Sequence, residues 1–497
     1  MKFYPTQKGM ARSLSCVAVS LAVFVMLAVL TPLYVVAQQR RLPVKPKAGE
    51  NAAARRDGDA AALGEAVALL LEKRLDEAEV IVRRVVSAEP RNADAHNLLG
   101  VILDQRKQFA EAEREYRAAL RLNPKAVSAL ANLGVLLARA GRVDEAIRSF
   151  ESVLQQVPDH PQATFNLGLQ YVARGDYARG LDLFERLNAL RPNTFEFLFN
   201  LGVALYHLKR FDEAVARLES ASALSPAVPE PLYYLGLIAS SRGKSEDAMS
   251  FWQRALGVRS NFADANFMLG EELRKQRRYR EAAEFYERAL EQDSSKLIHY
   301  VRLGGIYLLL IRYDEALQIF QRAATRFPRT AEAHYFVGIA ARGKAAYDVA
   351  SAAFRKALAL QPENVDALAQ LGFIMGERGD YAEAERLLRR AINLSDKHFF
   401  AHYDLGRLLV KQQRYDDALP LLQRGAALKA NNPDVHYQLF MALSRLKRKE
   451  EADREMALFR QFDEERKRLE KEGKSEQGDY IERPSPLPAT PMSNPVP

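Results

Sequence analysis

The amino-acid sequence predicts an all-α solenoid built from short helix pairs, and three observations carry that prediction. "NLG" at residues 132–134 returns at 166–168 and again at 200–202, each time after 34 residues. With that triplet set at positions 6–8 of a 34-residue unit, glycine fills position 8 from Gly100 to Gly406 without one insertion. Each unit also carries two apolar faces of helical spacing. Leu133, Gly134 and Leu137 form one, "AGR" (140–142) breaks the run, and Ala146, Phe150 and Val153 form the second before Pro158. Helices this short cannot bury their apolar faces alone, so each pair has to stack on its neighbours.

The N-terminus reads as an export signal, with an uncleaved anchor or a body kept in the cytoplasm as the alternatives. Lys2, Lys8 and Arg12 precede the apolar run 14–30, and Val35 and Ala37 are small residues where signal peptidase needs them. The expected cut falls between Ala37 and Gln38, leaving residues 1–37 behind and placing the mature chain in the periplasm or outside the cell. The first alternative is an anchor over residues 14–36, long enough to span a bilayer, through which alone the protein would meet a membrane. Arg40, Arg41, Lys45 and Lys47 follow the span as densely as cations precede it, so charge does not orient such an anchor. The only cysteine, Cys16, lies inside this leader, which removes thiolate chemistry and disulfides from the mature chain. Residues 38–58 read as a linker. The first 58 residues hold nine Lys and Arg against Glu50 and Asp57, so only +2 of the net +9 belongs to the rest of the chain. A body so nearly neutral has no broad footprint for a phosphate backbone, and nucleic acid is excluded as a partner.

Twelve units then cover residues 59–466. Position 20 is alanine from Ala78 to Ala452, with Gly180 the exception, and position 27 is alanine at Ala119, Ala221, Ala255 and others. Position 24 is large, as at Tyr116, Phe150, Phe184, Trp252, Tyr286, Phe320 and Phe354. Proline closes most units at position 32, among them Pro90, Pro158 and Pro328. Small residues at positions 8, 20 and 27 let helix axes approach, and bulky ones at 7, 11 and 24 fill the space between. This pattern resembles the tetratricopeptide repeat over 408 of the 497 residues. The resemblance implies a right-handed superhelix whose first helices line a concave groove. Departures fall mainly at the ends: Glu65 at position 7 of the first unit and Phe440 in place of glycine in the last. Residues 467–474 ("KRLEKEGK") are expected to extend the last helix as a polar cap. The tail 475–497, rich in proline, cannot bury a core and reads as disordered.

In the family, positions 2, 5, 6, 9, 12 and 13 face the groove. Position 6 holds Asn132, Asn166 and Asn200, and position 5 holds Phe165, Phe199, Tyr233 and Phe267. An amide offers both a donor and an acceptor, so three at one repeat's spacing would hold an extended peptide by its backbone. The aromatic row would take its apolar side chains. This is similar to the asparagine ladder of O-linked N-acetylglucosamine transferase, although both residue types are also common family background at these positions. Glu271, Arg274, Lys275 and Arg302 form a second candidate, a reader of acidic segments or simply a solvated charge cluster. The carboxylate clamp of chaperone-binding members needs lysine at position 5, and no unit has one.

Catalytic signatures are missing from the pattern. "SRGKS" (241–245) lacks the glycine that a phosphate-binding loop requires five residues before Gly243. His96, His334, His402 and His436 share position 4, where packing is the expected role. His398 and His402 lie four apart without a third ligand at a suitable spacing. Acidic pairs such as "FDEA" (211–214) recur at the starts of second helices, where they complement the macrodipole. The sequence thus predicts a non-catalytic scaffold with no cofactor or metal, binding a protein or peptide segment. A membrane-anchored structural component of an envelope assembly is the alternative.

Overall fold

The computed structural model describes residues 50–188 and 193–471. The expected signal peptide or anchor, the linker up to residue 49 and the proline-rich tail lie outside the described residues. The chain divides after Ser260 into an N-terminal and a C-terminal unit, each a stack of antiparallel helix pairs. Among the described residues all 24 elements are helices.

The helices keep the 34-residue phase. In the N-terminal unit first helices start at Ala93, Val127, Pro161 and Phe195, each at position 1, and at Glu230, one residue later. In the C-terminal unit they start at Ala263, Leu297, Ala331, Val365, Phe399 and Pro433. Second helices start at position 17 throughout, from Leu75 to Lys449. The first helix runs from Glu50 to Leu71, so helix begins within the segment read as a linker. "NAAARR" (51–56) consists largely of strong helix formers, and no proline interrupts it.

The glycine at position 8 is explained by position 24 of the same repeat. A Cβ on Gly134 would lie 2.6 Å from Phe150 Cε1, and one on Gly270 would lie 2.7 Å from Tyr286 Cε1. Those rings are buried to 0% exposure and cannot retreat. The end repeats solve the same problem differently. Ala66 replaces the glycine where position 24 is only Val82, and both are fully buried. Phe440 replaces it opposite the flexible Met456 and packs on Tyr437 at 6.2 Å. The two sequence departures are therefore one rule, that the pair has to share a fixed volume.

Position 15, between the paired helices, is left-handed in all twelve repeats, with φ from 59° to 87°. Only Gly141, Gly175, Gly243 and Gly379 meet this with glycine. Gly243, the end of the phosphate-loop-like "SRGKS", is thus a helix-pair turn. Ile311 is the least suited of the others, since it is β-branched, has φ 61° and leaves 63% of its surface in solvent. Ile311→Gly is expected to raise stability by about 1 kcal/mol, strain relief outweighing glycine's entropy. An unchanged or lowered melting temperature would contradict this.

Seams between repeats are closed by polar groups at positions 34 and 4. Asn92, Asn364 and Asn432 cap the next first helix, accepting from the backbone N–H three residues on at 3.0, 2.9 and 3.1 Å. His96, His334, His402 and His436 each hold a loop carbonyl six residues back with Nε2, at 3.1, 3.0, 3.0 and 2.8 Å. The last helix, Lys449–Lys471, continues past the repeat and lays Phe459 and Phe462 on Tyr437 and His436.

Candidate binding face of the first helices

First helices of neighbouring repeats touch each other within each unit, which brings their positions 2, 5, 6, 9, 12 and 13 side by side. In the N-terminal unit this face carries the predicted amide row, and its three members behave differently. Asn132 donates through Nδ2 to Oδ1 of Asn97 at 3.1 Å, so its amide is engaged across the seam. Asn97 was invisible to the position-6 register because it stands at position 5. Asn200 donates to the carbonyl of Glu196, one turn back in its own helix, at 2.7 Å. Asn166 is 8% exposed, and its Nδ2 has no hydrogen-bond partner among the described residues. A buried amide N–H left unsatisfied costs about 1–3 kcal/mol, so this group gains from any acceptor that reaches it.

The aromatic row is corrected by burial. Phe199 and Phe267 are 1% exposed and Tyr233 is 6% exposed, so these rings fill the stack and offer a ligand little surface. Phe199 packs edge-on to Tyr234 at 5.8 Å, and Phe267 lies 5.5 Å from Tyr286. Phe165 alone of the four is half-buried, and Val135, Leu169 and Val172 share its partial exposure. The apolar part of the face is this aliphatic strip around Asn166.

The charged candidate in the C-terminal unit is also corrected. Glu271 is 6% exposed. Its Oε1 accepts from Tyr286 Oη at 2.5 Å and from Arg302 Nε at 2.7 Å, and its Oε2 from Arg274 Nη2 at 3.3 Å. Lys275 donates to the buried Glu272 at 2.8 Å. Burial alone would raise the Glu271 carboxyl, but Arg302 and Arg274 outweigh it and hold it below its ordinary value. The same burial pushes the Tyr286 phenol well up. The cations that seemed ready to read an acidic segment are committed to carboxylates of this chain. The register grouped these four residues correctly, but their mutual pairing across the seam between two repeats was not visible in it.

The two histidines four apart, His398 and His402, are both engaged within the chain, His402 through one nitrogen only among the described residues. His398 accepts from the Ala401 N–H with Nδ1 at 3.0 Å and donates from Nε2 to Asp366 at 3.1 Å. His402 uses Nε2 on the Asp396 carbonyl. Among the described residues no group of three or more His, Cys, Asp or Glu could hold a metal ion, and no helix is long and apolar enough to cross a membrane.

Comparison with known proteins finds the same kind of repeat. Tetratricopeptide repeat profiles match residues 81–120, 104–161, 165–229, 233–296, 267–331 and 311–365, with further matches at 353–386 and 377–446. No curated protein matches the chain. Among solved structures, yeast Tom70 is 15% identical, with 80% of this chain and 97% of that one covered and a TM-score of 0.34. The C-terminal part of a tetratricopeptide repeat protein from Cytophaga hutchinsonii is 17% identical, covering 48% and 99%, with a TM-score of 0.43. Pseudomonas aeruginosa pilF is 20% identical, covering 44% and 99%, with a TM-score of 0.39. With its profiles matched over more than half of its length, the chain belongs to the tetratricopeptide repeat family.

Proposed function

We propose that this protein is an exported, non-catalytic scaffold that holds an extended segment of another protein along the first-helix face of its N-terminal unit. A repeat array of this family is an interaction scaffold, and a pre-formed surface loses little entropy on binding. The observation that carries the reading is Asn166, a buried amide whose Nδ2 has no partner among the described residues, beside half-exposed Phe165, Leu169 and Val172. A peptide carbonyl above it would complete its hydrogen bonding while the strip takes apolar side chains.

Replacing Asn132, Asn166 and Asn200 together with alanine is expected to weaken binding of a partner segment at least tenfold, about 1.4 kcal/mol. Asn166→Ala should account for most of that loss and Asn200→Ala for little, since Asn200 is satisfied within its own helix. Peptide-array binding by the folded variants, checked by circular dichroism, reads this directly. Binding equal to wild type in the triple variant would reject the amide row. Export predicts a mature N-terminus at Gln38, read by N-terminal sequencing of protein from its native cell. A retained leader would favour the anchored envelope component instead.

A further inference from the structure

In the C-terminal unit, the first helices Val365–Glu377 and Phe399–Lys411 enclose a pocket of about 200 Å³. Gly376 keeps it open, since a Cβ there would meet only Leu408 Cδ1 at 3.5 Å and Ala384 Cβ at 3.8 Å. Phe373 forms one wall, with the guanidinium of Arg407 5.0 Å from the ring centre and that of Arg342 at 5.6 Å. Asp404 lines the interior and is 9% exposed. Among the described residues nothing donates a hydrogen bond to it, and Arg407 Nε stands at 4.0 Å, beyond bonding reach. Arg407 gives its hydrogen bond to Glu377 at 2.8 Å instead.

Glu271 and Asp404 are both buried carboxylates on first helices, and they differ in one respect. Glu271 receives three donors from its own chain and is held acidic. Asp404 receives none. Burial pushes it up to about 7, against the pull of Arg407, Arg342 and His398 and with Glu377 adding to the rise. Asp404 therefore presents to the pocket an acceptor that no described residue of its own chain engages, and a donor entering the pocket would meet it.

We propose that this pocket receives the carboxamide of a partner's asparagine or glutamine side chain, its N–H groups donating to Asp404 and its carbonyl accepting from Arg407 or Lys411. The proposal rests on the scaffold reading and adds a second contact, on the first-helix face of the C-terminal unit, with its chemical class. Charge balance selects the class. Glu377 and the ionised fraction of Asp404 oppose a carboxylate, while Arg407 and Lys411 oppose an ammonium or guanidinium group. A carboxamide is neutral and carries donors and an acceptor on one carbon, matching an acceptor inside and cations at the mouth. The volume admits one side chain and falls below that of ordinary small-molecule sites. Phe373 and Leu408 would cover the aliphatic stem.

The test is selection of a phage-displayed library of random 12-residue peptides on the full chain, on Gly376→Leu and on Asp404→Leu. Gly376→Leu fills the pocket. Asp404→Leu removes the acceptor and should melt no lower than wild type, because it replaces a carboxyl whose charge burial already disfavours with an apolar group. Peptides selected on wild type are expected to share an Asn or Gln whose change to Ala, Glu or Lys weakens binding at least tenfold. On both pocket variants that discrimination should vanish. The proposal is overturned if the pocket-dependent position is acidic or basic, if no position responds to either variant, or if no peptide is selected. Peptides lost on the triple asparagine variant but indifferent to both pocket variants sink this proposal and leave the scaffold reading standing. Peptides that respond in the opposite way retain it and reject the amide row.

Discussion

Gly134→Ala is expected to lower the urea midpoint of unfolding, at a cost of about 1–3 kcal/mol for overpacking. The added methyl would sit 2.6 Å from Phe150 Cε1 and 2.9 Å from Cζ, against a ring that is completely buried. Phe150→Val alone is expected to cost more, about 2–4 kcal/mol, because it opens a cavity. The double variant copies the pairing of Ala66 with Val82 that the first repeat already uses. Its cost should fall short of the sum of the two by about 0.5–3 kcal/mol, the coupling expected for residues in contact. Far-UV circular dichroism through a urea titration measures all three. Strict additivity would show that position 8 is glycine for some reason other than the position-24 ring.

Glu271→Gln is the second large effect. At neutral pH it leaves Arg302 and Arg274, 19% and 33% exposed at the side chain, without their shared counter-ion. Breaking a buried pair from one side costs about 3–5 kcal/mol, and the partial exposure of the arginines places this case near 3. The sign of the pH dependence follows from a folded carboxyl held below its ordinary 4.5. Its stabilisation is present above 4.5 and is lost as pH falls through the lower folded value. The gap in stability between wild type and Glu271→Gln should therefore be wide at neutral pH and narrow progressively as the solution is acidified below 4.5. A gap that stays constant with pH would remove the carboxylate charge from the explanation.

How much was legible in advance depended on how far apart in the chain the causes lay. The helix boundaries were readable because the contact of position 8 with position 24 recurs every 34 residues and stays inside one repeat. The turns were readable at Gly141, Gly175, Gly243 and Gly379, and hidden at Lys73, Arg277 and Ile311, where the same left-handed backbone carries ordinary side chains. Roles on the first-helix face were much less legible. Asn132, Asn166 and Asn200 share one register, yet one is paired with Asn97, one with its own helix, and the Nδ2 of Asn166 with no described residue. Phe199 and Phe165 share position 5, and only Phe165 reaches the surface.

Periodicity by itself determined that the chain is a stack of helix pairs, where the second helix of each pair begins and which side of the pair is small or bulky. Those properties come from steric volume, which a repeating string of residue sizes encodes without reference to distant neighbours. Only the tertiary structure decided which polar groups are spent and which are available. Glu271 is satisfied by Arg302 from the next repeat, whereas Asp404, on a similar helix, meets a cation already turned toward Glu377. Hydrogen bonding and charge pairing act over a few ångströms between residues about 30 apart in the chain. Their outcome is fixed by how neighbouring helices place those side chains, and no single repeat contains that information.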